Sequence, residues 1–114
     1  MINVTVLVGS EQQYNGIEMI GHAGYAGNPV PNQDLVCSAA SALILNMANS
    51  VEHFTDDRFE AEEDENSGLL RFRFTDETVS PEGRLLLNSL VFGLLDIEET
   101  YGGEPYIRIQ FKEV

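Results

Sequence analysis

The chain holds a single cysteine, Cys37, close to the point where a long apolar helix is expected to begin. Asp34 occupies the predicted N-cap position, where an aspartate carboxylate accepts hydrogen bonds from the free backbone N–H groups of the first turn. A thiol in this turn lies near the positive end of the helix dipole. The partial positive charge there stabilises the nucleophilic thiolate. His22, in the pair Gly21-His22, stands upstream of a loop rich in glycine and proline. Cys37 and His22 are therefore candidates for a Cys-His pair that performs nucleophilic catalysis.

The same residues admit structural interpretations. A buried cysteine most often packs as a small apolar residue, and we weigh that role for Cys37 beside the catalytic one. A metal site formed by His22, Cys37 and Asp34 lacks the close paired spacing, such as Cys-x-x-Cys, that structural metal sites use. His53 lies near the predicted end of the same helix, too far along it to reach the thiol, and is expected to be structural or exposed. The residue types alone leave catalysis and packing by Cys37 both open.

Periodicity in hydrophobicity predicts the elements that must position these groups. Two-residue alternation predicts five strands, over 2–8, 17–23, 58–63, 69–74 and 106–111. Three- and four-residue spacing predicts two helices, one over 35–54 and one that starts with Ser80-Pro81 and ends at Gly102-Gly103. The order ββαββαβ predicts an α+β two-layer sandwich, with a mostly antiparallel sheet and two helices in a single domain over 1–114.

Side-chain directions follow from these periods. His22 is expected to project at the end of the second strand, and the fourth strand is expected to turn three apolar residues inward and Arg71 and Arg73 outward. The two arginines are expected to pair with carboxylates on the neighbouring strand. Apolar residues surround most of the first helix, which predicts that most of it is buried.

The cysteine count, the N-terminal residues and the length of the apolar runs indicate the cellular compartment of the protein. One cysteine cannot form an internal disulfide, which fits a reducing cytoplasm. The first eight residues alternate and lack a basic n-region, so no signal peptide is expected. We also expect no membrane span, because no apolar run approaches about 20 residues. A cytoplasmic protein is therefore predicted.

The charge is strongly acidic. Six Lys and Arg against 19 Asp and Glu give a net charge of −13, which argues against direct binding to nucleic acid. Eight of the acids lie between Glu52 and Glu65, a segment we call the acidic cluster. Two interpretations stay open for it: a solvated surface, or a docking surface for a cationic polypeptide.

Two motifs resemble those of a known family. Gly21-His22-Ala23, then a glycine-containing loop, then the run from Asp34 to Ser41 (Asp-Leu-Val-Cys-Ser-Ala-Ala-Ser) resembles the signature of the ribosomal-processing cysteine protease family, Prp. The chain length and the ββαββαβ order also fit, so the resemblance covers essentially the whole chain. The loop 24–33 departs from the family pattern, since Asn32 stands where a glycine is usual.

The resemblance implies a function and a partner. It implies a cytoplasmic thiol protease, active in ribosome biogenesis as a homodimer, that removes the N-terminal extension of a large-subunit ribosomal protein precursor. Carried over residue by residue, Cys37 is the nucleophile and His22 the general base, with Asp34 and Ser41 in support and no cofactor. Asp34 either caps the helix, which the spacing favours, or orients His22. The alternative to the protease is a non-catalytic acidic ribosome-assembly or protein-binding module, in which Cys37 only packs.

Overall fold

The computed structural model describes residues 1–21, 33–102 and 106–114, except for the side chain of Asp34. The elements follow in the order β1 (Ile2–Val8), a short 3₁₀ turn (Ser10–Gln12), β2 (Tyr14–Ile20), α1 (Gln33–Phe54), β3 (Phe59–Asp64), β4 (Leu69–Phe74), α2 (Pro81–Tyr101) and β5 (Ile107–Glu113). Apart from the 3₁₀ turn, this is the predicted ββαββαβ order. Residues 24–32 of the predicted loop and the predicted strand-end position of His22 lie outside the described residues, whereas Gln33, the last residue of that predicted loop, is the first residue of α1.

The strands form one sheet in the order β3-β4-β2-β1-β5. Within the described residues, three of the four strand pairings are antiparallel, and the pairing of β1 with β5 is parallel. The prediction of a mostly antiparallel sheet is therefore confirmed. β5 is an edge strand, as a proline just before it indicates.

One face of the sheet packs against both helices. Alternate residues of β1 are buried on this face, and Ile17 and Met19 of β2 continue it. On β4, Leu70, Phe72 and Phe74 turn inward as predicted, and the Phe72 ring lies 5.0 Å from that of Phe59. The sheet and the helix layer give the predicted α+β two-layer sandwich.

The second strand begins and ends three residues earlier than the sequence predicts. β2 begins at Tyr14 and ends at Ile20, whereas alternation predicts 17–23. Glu11 and Gln12 have left-handed backbone angles, with φ of 58° and 60°. The connection between β1 and β2 is therefore a tight turn, which is shorter than the predicted polar turn.

α1 is less buried than predicted. Its core face consists of Val36, Ala40, Ile44, Met47 and Val51, while Phe54 is 70% exposed. A helix in a two-layer sandwich contacts the sheet on one side only, so its outer apolar residues remain open. By length and composition, Leu35–Phe54 also meets the requirement for a membrane span. The expectation that no apolar run is long enough is therefore wrong, although a core helix passes the same test.

The start of α2 follows the prediction. The Ser80 hydroxyl accepts a hydrogen bond from the Gly83 N–H at 3.0 Å, and Pro81 is the first helical residue. The Asp57 carboxylate accepts hydrogen bonds from both the N–H and the hydroxyl of Ser80. Gly102 ends the helix with a φ of 78°. The cap therefore ties the segment before β3 to α2.

Candidate active site around Cys37

α1 begins earlier than the sequence predicts. Its first residue is Gln33, so Asp34 lies inside the first turn and the prediction that it is the N-cap is wrong. Cys37 is then the fifth helical residue rather than the third, and its N–H is the first that can bond back to the Gln33 carbonyl. With Gln33 as the first helical residue, the N–H groups of residues 33–35 are among those that have no acceptor inside the helix. An aspartate in the first turn still interacts favourably with the helix dipole.

Gln33 fixes the start of α1 against the sheet. Its side chain is only 3% exposed, and its Nε2 donates a hydrogen bond to the carbonyl oxygen of Tyr106 at 3.2 Å. The same oxygen accepts the Ile2 N–H at 2.9 Å. The Gln33 Oε1 is buried and has no hydrogen-bond partner among the described residues. Sequence reasoning missed this residue, because a glutamine in a polar loop sequence carries no signal of burial.

Gly21 has a backbone that other residues rarely adopt. Its φ is 135°, and a Cβ at this position would lie 2.7 Å from the Met1 carbonyl oxygen. Both the angle and the close approach require glycine. The motif pointed to Gly21, but its conformation explains why glycine is needed just before His22. His22 itself lies outside the described residues.

Cys37 opens into a cavity of about 130 Å³. The thiol is free and half-buried, and it packs against the core. The other residues that line the cavity come from the end of β2 and the residue after it, from α1, and from the β3–β4 hairpin: Met19, Gly21, Ser41, Leu45, Glu63, Asp64, Glu65, Gly68, Leu69 and Leu70. The structure thus brings Cys37, Gly21 and Ser41 to one cavity. It also adds one end of the acidic cluster, which sequence reasoning had not placed near the thiol.

The cavity has the chemistry of a peptide site. A thiol is a nucleophile toward carbonyl carbon when ionised. Apolar side chains of Met19, Leu45 and Leu70 form part of the wall, and carboxylates form another part. Such a wall is complementary to apolar and basic side chains.

Comparison with known proteins identifies the family. Residues 1–107 match the family model described as cysteine protease Prp. The chain belongs to the cysteine protease Prp family. The ribosomal processing cysteine protease Prp of Staphylococcus aureus is 31% identical over 112 residues, covering 98% of this chain and 100% of the relative. The Prp of Bacillus subtilis is 30% identical over 105 residues, covering 89% and 90%.

Solved Prp structures have the same fold. The S. aureus Prp structure with a covalently linked product peptide superposes with a TM-score of 0.79 at 31% identity, covering 98% of this chain and 100% of that one. The S. aureus Prp structure with a substrate peptide has a TM-score of 0.83 at 28% identity and the same coverage. The chain is therefore a cysteine protease, and the non-catalytic alternative is set aside.

Proposed function

We propose that this Prp family member removes the N-terminal extension of a large-subunit ribosomal protein precursor, with Cys37 as nucleophile and His22 as general base. The observation that carries the proposal is the position of the single thiol in a cavity beside Gly21, in a chain that matches the family over residues 1–107. The relatives are named ribosomal processing proteases, which supports a ribosomal protein as substrate.

The proposed reaction has two steps. His22 takes the thiol proton, and the Cys37 sulfur attacks the carbonyl carbon of the scissile peptide bond. The C–N bond breaks as His22 returns the proton to the leaving amine, and a thioester remains on Cys37. A water that gives its proton to His22 then hydrolyses the thioester and restores the thiol. Free N–H groups in the first turn of α1 stabilise the negative oxygen in both steps.

Two residues support the pair in this proposal. Asp34, in the first turn of α1, stabilises the positive end of the helix. Ser41 lies one turn beyond Cys37 and lines the same cavity, where its hydroxyl can hydrogen-bond to the peptide.

The proposed substrate is a basic protein, because a ribosomal protein must lie against RNA phosphates. A net charge of −13 attracts such a partner and raises the encounter rate. Part of the acidic cluster is already neutralised, since Glu60 pairs with Arg73 and Glu62 pairs with Arg71. These pairs were predicted from the outward arginines of β4, and they lie on the sheet face opposite the helices. The acids near Cys37 are therefore those at the end of the cluster.

We further propose that the protein is a homodimer through the outer face of α2. Leu85 and Phe92 are 68% and 76% exposed and lie on the same side of the helix. Residues 85–95 carry no charge in a chain of net charge −13, so a second copy meets little repulsion from this stretch. Light scattering on wild type and Phe92→Ser tests this: a dimer that becomes monomeric in the variant supports it, and a monomeric wild type contradicts it.

A cytoplasmic location is tested by cell fractionation.

The function is tested by incubating the purified precursor with the wild-type protein and with His22→Ala. Intact-mass spectrometry should show loss of one N-terminal segment with wild type. General-base help contributes roughly 10²–10⁴-fold, so His22→Ala should be slower by about that factor. A precursor that stays intact with the wild-type protein contradicts the proposed substrate.

A further inference from the structure

The geometry of the β3–β4 hairpin points to a specificity-determining residue: we infer that Glu63 binds a lysine or arginine side chain of the substrate close to the scissile bond. The inference rests on the proposed function, in that it assumes peptide cleavage at Cys37. It goes further by naming the kind of residue that the site selects and the side chain that selects it.

Strand register places Glu63 on the helix-facing side of the sheet. Glu63 lies opposite Leu70, and Leu70 lies opposite Met19, so the three form one row across β3, β4 and β2. Met19 and Leu70 are buried under the helix layer. Because side chains alternate along a strand, Glu62 points to the other side of the sheet. Among the acids of β3, Glu63 is therefore the one that continues the row of Met19 and Leu70 on the face that packs against α1.

Three acids of β3 have partners within the protein, and Glu63 differs from these three. Glu62 and Glu60 each lie opposite an arginine and bind it, at 3.1 Å and 3.0 Å. Asp64 accepts a hydrogen bond from the Asn66 N–H at 2.9 Å and so stabilises the turn. Glu63 lies opposite an apolar residue, and no ion pair holds its carboxylate within the described part of the chain. Its charge is free to bind a substrate cation.

Two adjoining cavities make this carboxylate part of a groove. The cavity that holds Cys37 is lined by Leu45, Glu63 and Leu70, and the same three residues line a second cavity of about 230 Å³ between α1 and the β3–β4 hairpin. Phe59 lines the far part of the second cavity. A peptide in this groove rests apolar side chains on the leucines and passes Glu63 within a few residues of the thiol.

A basic side chain is the complement of this wall. Glu63 is exposed, and its carboxylate can form a charge-assisted hydrogen bond with an ammonium or guanidinium, which is stronger than a hydrogen bond between neutral groups. The long alkyl part of a lysine or arginine also packs on apolar surface such as Leu70. Neutral residues at the same substrate position leave the carboxylate without a partner.

The test uses quenched-fluorescent peptides that span the processed junction of the precursor. Each position within four residues of the scissile bond carries Lys, Gln or Glu in turn, and kcat/KM is measured for each peptide. Wild type should prefer Lys to Gln roughly tenfold at one position, the effect expected of one charge-assisted hydrogen bond. Glu63→Gln should bring this ratio close to one, and Glu63→Lys should prefer Glu at the same position.

Glu60→Gln is the matched control. It removes the same charge from the same strand, but Glu60 lies on the opposite side of the sheet, so the Lys preference should persist. Circular dichroism of each variant confirms its fold. Cleavage with no Lys preference in wild type, or with a preference that Glu63→Gln leaves unchanged, overturns the inference alone. Wild-type protein that cuts neither the precursor nor any peptide contradicts the proposed function and the inference together.

Discussion

The side-chain amide of Gln33 donates a hydrogen bond to the carbonyl oxygen of Tyr106 at 3.2 Å. That oxygen also accepts the Ile2 N–H, so the start of α1, the start of β1 and the residue before β5 meet at one atom. Cys37 follows Gln33 by about one helical turn. The hydrogen bond therefore holds the thiol in position relative to the sheet end where Gly21 lies.

Gln33→Met tests this relationship. The variant keeps the side-chain length, but it removes the hydrogen bond and the unpartnered Oε1 together, so the free energy of unfolding should change by less than about 1 kcal/mol. A displaced nucleophile is costly, and kcat/KM for a junction peptide should fall roughly ten- to hundredfold. Urea denaturation and peptide kinetics measure the two effects. Unchanged kcat/KM would show that Gln33 is only a packing residue.

Gly21→Ala should damage both stability and activity. The alanine must adopt a φ of 135° and meet the Met1 carbonyl oxygen, which should cost about 1–3 kcal/mol of unfolding free energy. The strain acts directly before His22, so peptide cleavage should fall as well. Gly102→Ala is the control, since its φ is also positive but nothing lies within 4 Å and it is not among the residues lining the Cys37 cavity. Equal activity of the two variants would contradict a role for the Gly21 backbone in the site.

Asp57 should make stability depend on acidic pH. Partial desolvation opposes its ionisation, but hydrogen bonds from the Ser80 hydroxyl and N–H, with help from Thr55 and Arg84, hold the pKa of its carboxyl below the usual value. A carboxyl with a lowered folded-state pKa stabilises the fold above its unfolded pKa of about 4, and this is lost as pH falls through the folded value. Urea denaturation should find Asp57→Asn less stable than wild type at pH 7, with a smaller difference near pH 3. A difference that is constant with pH would exclude this linkage.

Gly83→Ala should destabilise the protein although alanine is the better helix former. A Cβ at Gly83 would overlap the Asp57 carboxylate and crowd Val79. The overlap should outweigh the gain in helix propensity of about 1 kcal/mol and leave a net loss of about 1–3 kcal/mol. In an Asp57→Ala background the same change should cost much less, because the carboxylate is gone. Additive effects in the double variant would show that the two residues do not conflict.

Local patterns predicted the elements whose signals lie in a few adjacent residues. β4 was placed at its observed bounds because Leu70, Phe72 and Phe74 alternate with two arginines. The start of α2 was predicted because Ser80-Pro81 combines an N-cap with a residue that needs no N–H. In both cases the physical cause is local, so it can be read from sequence.

The remaining features depend on tertiary contacts. α1 begins at Gln33 rather than after Asp34, and the buried Gln33 side chain bonds a carbonyl far along the chain. The pairing of β3 with β4 places Glu63 at the cavity that Cys37 lines. The sequence separation of Glu63 and Cys37 does not predict this proximity. Two-residue periodicity predicts which side chains of a strand point to the core. It does not predict which helices and strands lie next to one another around the thiol.

A comparison of wild type with Cys37→Ala shows whether Cys37 is the nucleophile. Wild type and Cys37→Ala are incubated with the purified ribosomal protein precursor, and intact-mass spectrometry follows the N-terminal extension. The substitution removes one sulfur, so unfolding free energy should change by roughly 1 kcal/mol and both proteins should be folded by circular dichroism. We predict that wild type releases the extension and that Cys37→Ala releases none. Release of the same segment by folded Cys37→Ala would contradict the account.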